Sequence, residues 1–310
     1  MNHRKTIGVT LISIVALLLL LEGGSKWLLL KIYNRQDDPK LLTDRAFGST
    51  SGFKSNASGI VFGKHFHTDA YGGRLVLPHK PGKRKWLFIG DSVAEGLGVT
   101  DSSTFYYLLN NSIPNYEIRC VAVSGWAPAD YVNVAGNLFN RQEFNSARLT
   151  LCWCLNDIYP KAITQHPAGQ NHLKLLTQIN LWFQKNMAVY QLLKLFVFRN
   201  SDSYYRYHSS PYQNEAMVRE AVAYLDTLQH ICSERKTPFE VLLLPYRSQL
   251  KNNDTLPQKI MMTELQKHGI RSRFIFKELK NDPDGNYLFA DEIHFSEKGH
   301  QAIFRAFMED

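Results

Sequence analysis

The sequence predicts an α/β fold: a three-layer α/β/α sandwich around a mostly parallel sheet, carried behind an N-terminal transmembrane helix. Three observations predict it. Short, unalternating apolar runs recur from residue 86 onward, which is the pattern of strands covered on both faces. Segments with apolar residues at helical spacing separate those runs, and this alternation implies right-handed crossovers with helices on both sides of the sheet. An uncharged, mostly apolar stretch, "IGVTLISIVALLLLL", occupies residues 7–21.

The N-terminal stretch follows Arg4 and Lys5 and precedes Glu22, Gly23, Gly24 and "KWLLLKIY". Crossing the hydrocarbon core takes about 20 residues, so the stretch suffices if the helix continues through Leu30 with Lys26 near the interface. A cleaved signal peptide shares the basic start and the apolar run. An A-x-A-like cleavage site is not evident, which favours an uncleaved anchor. Lys26, Lys31 and Arg35 balance Arg4 and Lys5, so the positive-inside count does not orient the helix. A short tail before a large domain fits a cytoplasmic tail and an extracytoplasmic domain, in the periplasm or at the cell surface.

Residues 1–31 are therefore read as tail and anchor, 32–85 as a linker with short strands such as "GIVFG" and "RLVLP", and 86–310 as the main domain. With 310 residues, 44% hydrophobic and 21% charged, the chain can bury a substantial core. The strands are read in order from "KWLFIG", "EIRCVAVSG", "ARLTLCWCL", "FEVLLLP" and, more weakly, "RSRFIF". "STFYYLLNNS" and "NEAMVREAVAYLDTLQHICSERK" are read as helices. Residues 160–211 form an insertion, apolar and helical at first, then Tyr-rich and loop-like in "RNSDSYYRYHSSPY". It is either part of the helical coat or a lid beside the site.

Net charge is +8, with a pI near 9.2. The one dense basic cluster, "KPGKRK" at 80–85, reads as a solvated loop before a strand, and nucleic acid is not expected as a partner. Cys120, Cys152, Cys154 and Cys232 are too few and too irregular for a disulfide scaffold, and Cys152 and Cys154 read as small buried hydrophobes. No metal-ligand set is apparent.

In an open parallel sheet ligands bind beyond the carboxyl ends of the strands. The first run ends in Gly90, Asp91 and Ser92: either a tight turn with a helix cap, or an exposed nucleophilic serine with a free backbone N–H. The second ends in Ser124, Gly125 and Trp126, where glycine lets a substrate reach a bare N–H or simply makes a turn. The third ends in Asn156 and Asp157, a carboxamide able to donate to an oxyanion or another Asx turn. Near the C-terminus, "ADEIHFSEKGHQAI" sets Asp291 three residues before His294, a spacing at which the carboxylate can hold one imidazole nitrogen while the other faces a serine. His300 reads as a residue on a helix face.

The order Ser, Gly, Asn, then Asp with His resembles the blocks of the SGNH, or GDSL-type, hydrolases. "FIGDSVAEGLGV" is similar to the first block, "VAVSGWAPADY" to the second, "LCWCLND" to the third and "DEIHFSEKGH" to the last, over about residues 86–310. The resemblance implies a flavodoxin-like sheet, with Ser92 as nucleophile, His294 as general base and Asp291 as its orienter. It implies an oxyanion hole from Ser92 N–H, Gly125 N–H and the Asn156 side chain, and no cofactor. The sequence departs from the family at Cys120, Ala122 and Cys154, and Cys154 is expected to narrow the pocket. "HTDAYGGR" at 67–74 is similar to an element of membrane-tethered relatives.

The activity so implied is hydrolysis of a carboxylic ester through an acyl-serine, on an O-acetylated cell-surface glycan or a lipid. An O-acyltransferase acting on a glycan, or an inactive anchored binding domain, are the alternatives. The apolar 173–198 stretch points toward lipid, and the positive charge toward an acidic polymer or anionic surface.

Overall fold

The computed structural model describes residues 3–33, 39–141, 144, 148–159, 182–183, 186–197 and 201–309. The chain divides into two compact units, Met1–Gln36 with Thr164–Asn200, and Asp37–Ile163 with Ser201–Asp310. In chain order the strands are β1 (Leu42–Phe47), β2 (Thr50–Phe53), β3 (Ser58–Val61), β4 (Lys64–His67), β5 (Arg84–Gly90), β6 (Tyr116–Ala122), β7 (Arg148–Trp153), β8 (Phe239–Leu243) and β9 (Arg271–Phe274). The helices are α1 (His3–Tyr33), α2 (Ser92–Glu95), α3 (Phe105–Ser112), α4 (Pro128–Phe139), α5 (Ala188–Val197), α6 (Ser201–Ser209), α7 (Glu215–Glu234), α8 (Arg247–Asn252), α9 (Leu256–Lys267), α10 (Phe276–Lys280) and α11 (Glu297–Met308).

In the larger unit a five-stranded sheet runs β6-β5-β7-β8-β9, and every neighbouring pair is parallel. Numbered along the sheet this is 2-1-3-4-5, the flavodoxin-like order, and its topological switch lies between β5 and β7. Leu87, Phe88 and Ile89 are fully buried, as are Val241 and Leu243 of β8 with Leu242 nearly so, which is why these runs are apolar without alternation. β9 is an edge strand and stays partly exposed, so it carries arginines and reads weakly. Gly90 pairs level with Ala122 of β6 and Cys152 of β7, which brings the residues after these three strands to one edge. A Cβ on Gly90 would stand 2.6 Å from that of Ala94 and 3.0 Å from the Cys152 carbonyl oxygen. Only glycine lets the turn into α2 fold back so closely.

The segment read as a linker carries two antiparallel hairpins, β1–β2 and β3–β4, and belongs to the same unit as the sheet. Phe53 and Phe66 join them at 4.8 Å between ring centroids. Arg74 N–H donates to the Cys120 carbonyl at 2.9 Å, so this segment pairs with the otherwise open edge strand β6. The basic cluster is only partly solvated: Lys80 donates to the Ile113 carbonyl at 2.7 Å beyond α3 and Lys85 pairs with Glu117, while Lys83 and Arg84 are exposed. The Tyr-rich stretch is not a loop. It forms α6 and a short 3-10 turn at Ser210–Gln213, because Tyr205, His208 and Tyr212 bury at near-helical spacing between polar residues that masked the pattern.

In the smaller unit α1 contains an apolar window, Ile12–Leu29, with mean hydropathy 1.7. Glu22 lies inside it. The Ala188 and Val189 N–H groups at the start of α5 donate to the two carboxylate oxygens of Glu22 at 2.8 and 3.1 Å. Most of the inserted stretch expected as a coat or lid, 160–181, 184–185 and 198–200, lies outside the described residues.

Candidate active site

Strand β5 delivers the chain to Asp91 in an extended conformation, and there the side chain turns back to accept from Val93 N–H at 2.9 Å. Asp91 is thus the cap of α2, and Ser92 is its first helical residue. The capping and nucleophilic readings of "GDS" fall on different residues. Gly96 closes α2 at φ 79°.

His294 reaches Ser92 from the loop ahead of α11. Its Nε2 lies 3.0 Å from the Ser92 hydroxyl and its Nδ1 lies 2.8 Å from Asp291 Oδ2. The other Asp291 oxygen accepts the N–H groups of Ile293 and His294 at 2.9 and 2.8 Å, so the carboxylate organises the loop that carries its own histidine. Burial works against the charge on Asp291, yet the hydrogen bonds from the His294 ring and these backbone N–H groups hold its carboxyl down at about 2. A charged acceptor on Nδ1 fixes the imidazole tautomer so that Nε2 is basic toward the hydroxyl. Ser92 is itself buried.

Asn156 follows β7 in a short 3-10 turn, Leu155–Ile158. Its Nδ2 donates to Asp91 Oδ2 at 2.8 Å, and the Tyr246 hydroxyl donates to its Oδ1 at 3.1 Å. Tyr246 Oη also lies 3.3 Å from Nδ1 of His208 on α6. Burial pushes the buried Asp91 carboxyl up, against the Asn156 and Val93 hydrogen bonds. Asp157 accepts Cys154 N–H at 2.7 Å and the Tyr131 hydroxyl at 2.6 Å.

Gly125 occupies the turn after β6 at φ 83°, in the left-handed region that favours glycine, with open space where a Cβ would stand. The preceding Ser124 N–H donates at 2.7 Å to Glu95 Oε2, which ties this turn to the end of α2. Cys154, expected to narrow the pocket, has its side chain buried, and burial raises its thiol well above the ordinary range.

Residues that the sequence reading passed over support the site. Arg74, within the "HTDAYGGR" element, is buried and donates to the carbonyls of Glu95, Gly96 and Val99 and, at 2.8 Å, to Asp101, so it holds the loop leaving α2. Asp69 of the same element accepts Arg119 at 2.9 Å and the N–H groups of Tyr71 and Gly73. Tyr246 was findable, because it follows β8 as Ser92 follows β5. His300 is fully buried rather than on an exposed helix face, and its Nδ1 accepts Phe105 N–H at 3.3 Å.

The parallel sheet order, the Ser92–His294–Asp291 array and the carboxamide after β7 agree with the SGNH resemblance of the sequence. No protein-family model matches the chain. No curated relative matches it either. Among solved structures it is similar to a lipolytic protein of the G-D-S-L family from Veillonella parvula, at 14% identity and TM-score 0.42, covering 73% of this chain and 97% of that one. It is similar to a lipase/acylhydrolase from Enterococcus faecalis at 14% identity and TM-score 0.41, covering 73% and 94%. It is also similar to an acetyl xylan esterase, AlAXEase, at 12% identity and TM-score 0.41, covering 73% and 98%.

Proposed function

We propose that the chain is a membrane-anchored serine esterase that hydrolyses an acyl ester through an acyl-serine intermediate. The observation that carries this reading is the 3.0 Å contact of His294 Nε2 with the Ser92 hydroxyl, backed by Asp291 at 2.8 Å. His294 takes the Ser92 proton as the hydroxyl oxygen attacks the ester carbonyl carbon. Charge then collects on the carbonyl oxygen. The Ser92 and Gly125 N–H groups and the second Nδ2 hydrogen of Asn156 donate to it. Collapse expels the alcohol, which receives the proton from His294. Water then attacks the acyl-serine with His294 again as base, releasing the acid and free Ser92.

The apolar window of α1 supports attachment to a membrane. We place the larger unit on the extracytoplasmic side, where an O-acetylated surface glycan or a lipid ester is the substrate. The test uses the full chain in detergent micelles with p-nitrophenyl acetate and longer p-nitrophenyl acyl esters. Hydrolysis that disappears in Ser92→Ala and in His294→Ala supports the esterase; equal rates in wild type and Ser92→Ala sink it. Preference for acetyl over long acyl chains selects the glycan ester, and the reverse preference selects the lipid. Protease digestion of sealed vesicles of known orientation tests the side on which the larger unit lies.

A further inference from the structure

The Asn156 carboxamide is gripped at both ends. Its Nδ2 donates to Asp91 at 2.8 Å and its Oδ1 accepts the Tyr246 hydroxyl at 3.1 Å. A phenol has one proton, so a Tyr246 that donates to Asn156 must accept at its oxygen from His208 Nδ1, 3.3 Å away. The hydrogen bonds then run in one sense, from His208 through Tyr246 and Asn156 to Asp91. Each donor in such a chain polarises the next, and low local dielectric strengthens the effect.

The surroundings leave Tyr246 little choice of position. It is fully buried, and it sits at the start of α8, where its N–H donates to the Gln249 side chain at 2.9 Å. Tyr204 stacks on it at 6.0 Å and Tyr205 meets it edge-on at 6.5 Å. His208 is also buried and comes from α6, so two separate elements, α6 and the start of α8, meet at the Tyr246 hydroxyl. Burial raises the Tyr246 phenol well above its ordinary value, which keeps its proton in place.

We propose that Tyr246, held by His208, is a positioning residue that sets the orientation and donor strength of the Asn156 carboxamide toward the oxyanion. This rests on the esterase reading given above. Loss of the Tyr246 hydroxyl lets the amide rotate about its last side-chain bond, weakening an interaction made in the transition state and leaving substrate binding unchanged.

The experiment is a double-mutant cycle in the full chain in detergent, with p-nitrophenyl acetate as substrate. Tyr246→Phe is expected to lower kcat by about five- to tenfold, the size of one neutral hydrogen bond, with KM unchanged. In an Asn156→Ala background the same substitution is expected to cost nothing further. A trifluoromethyl ketone, whose adduct with serine carries an oxyanion, is expected to bind Tyr246→Phe more weakly by the same factor. His208→Phe provides a second route should Tyr246→Phe fold poorly, with a several-fold loss that vanishes in the Tyr246→Phe background. Equal losses in the wild-type and Asn156→Ala backgrounds overturn the proposal, as does a loss confined to KM. Should Ser92→Ala keep the wild-type rate, the esterase reading itself falls. Should Ser92→Ala be inactive and Asn156→Ala slow while Tyr246→Phe is as fast as wild type, only the positioning by Tyr246 falls.

Discussion

The carboxylate of Asp91 accepts Nδ2 of Asn156 at 2.8 Å while also accepting Val93 N–H at 2.9 Å. One side chain therefore fixes both the helix that begins with Ser92 and the carboxamide that follows β7. Asp91→Ala removes both. Loss of the cap costs about 1 kcal/mol, which shifts the melting temperature by a few degrees for a domain of this size. The freed carboxamide lowers kcat by about tenfold or more, with little change in KM. Thermal melts and steady-state kinetics on one preparation separate the two effects, and an unchanged kcat refutes the second.

Asn156→Ala and Asp291→Asn attack different steps. On the proposed mechanism Asn156→Ala removes an oxyanion donor and is expected to lower kcat on the order of 10² to 10³-fold. Asp291→Asn keeps the shape of the loop but loses the charge that fixes the His294 tautomer, and the expected loss is on the order of 10⁴-fold. Both variants should retain the wild-type melting temperature within a few degrees. A rate for Asp291→Asn within tenfold of wild type excludes the orienting role.

Arg74→Ala tests the loop beyond α2. The guanidinium serves the carbonyls of Glu95, Gly96 and Val99 together with Asp101, and Asp101 also takes Nδ1 of His67 at 2.6 Å. Removing the cation strands three carbonyls and a carboxylate, at a cost of about 3–5 kcal/mol. The melting temperature should fall on the order of 10 °C. Arg74→Lys should recover only part of it, since an ammonium on a flexible stem cannot serve four acceptors in one plane. Full recovery by lysine means that charge alone matters there.

His300 predicts how stability varies with pH. Burial, aided by the Arg74 charge, lowers its imidazole from 6.5 to about 3. The unfolded chain takes up a proton at about 6.5, and the folded chain waits until about 3. Between those values the unfolded state binds more protons, so stability falls as pH falls, by up to about 1.4 kcal/mol per pH unit. The depressed carboxyl of Asp291 adds its own loss only below its ordinary 3.8. The buried carboxyls of Asp69, Asp91 and Asp157, raised above 3.8, act in the opposite sense as pH falls, so it is the difference between the urea midpoints of wild type and His300→Gln, followed from pH 7 to pH 4, that should report His300. Identical slopes in the two proteins exclude a neutral buried imidazole.

The sheet and the pairing of Asp291 with His294 are legible because their signals are local. Strands buried on both faces announce themselves by apolar runs such as "WLFI", and Asp291 and His294 share one short loop. In the sequence Asp91 and Ser92 read as one turn; in the structure Asp91 caps α2 and Ser92 is its first helical residue. What remained hidden is non-local. The place of Tyr246 after β8 is visible in the sequence, but its contacts lie 90 residues away at Asn156 and 38 away at His208, and no spacing rule joins them. The hairpins β1–β4 are short and polar, so they read as a linker although Arg74 and Asp69 within that segment are buried. The helix α6 does not show in the sequence because Ser201, Asp202 and Ser203 ahead of its tyrosines and Arg206 among them imitate a loop.

Glu22 gives the first helix a second role. Its two oxygens close the start of α5, which lies 166 residues further along the chain. Residues Met1–Gln36 are thus one half of a two-part unit whose other half is Thr164–Asn200. Cutting the chain after α1, by a processing enzyme or by a cloning boundary, leaves the Ala188 and Val189 N–H groups without their acceptor, a loss comparable to that of a helix cap, about 1 kcal/mol. A preparation lacking the first 36 residues is for this reason a different protein around α5 and not simply a detached one. A protease that removed α1 would dismantle part of a folded unit.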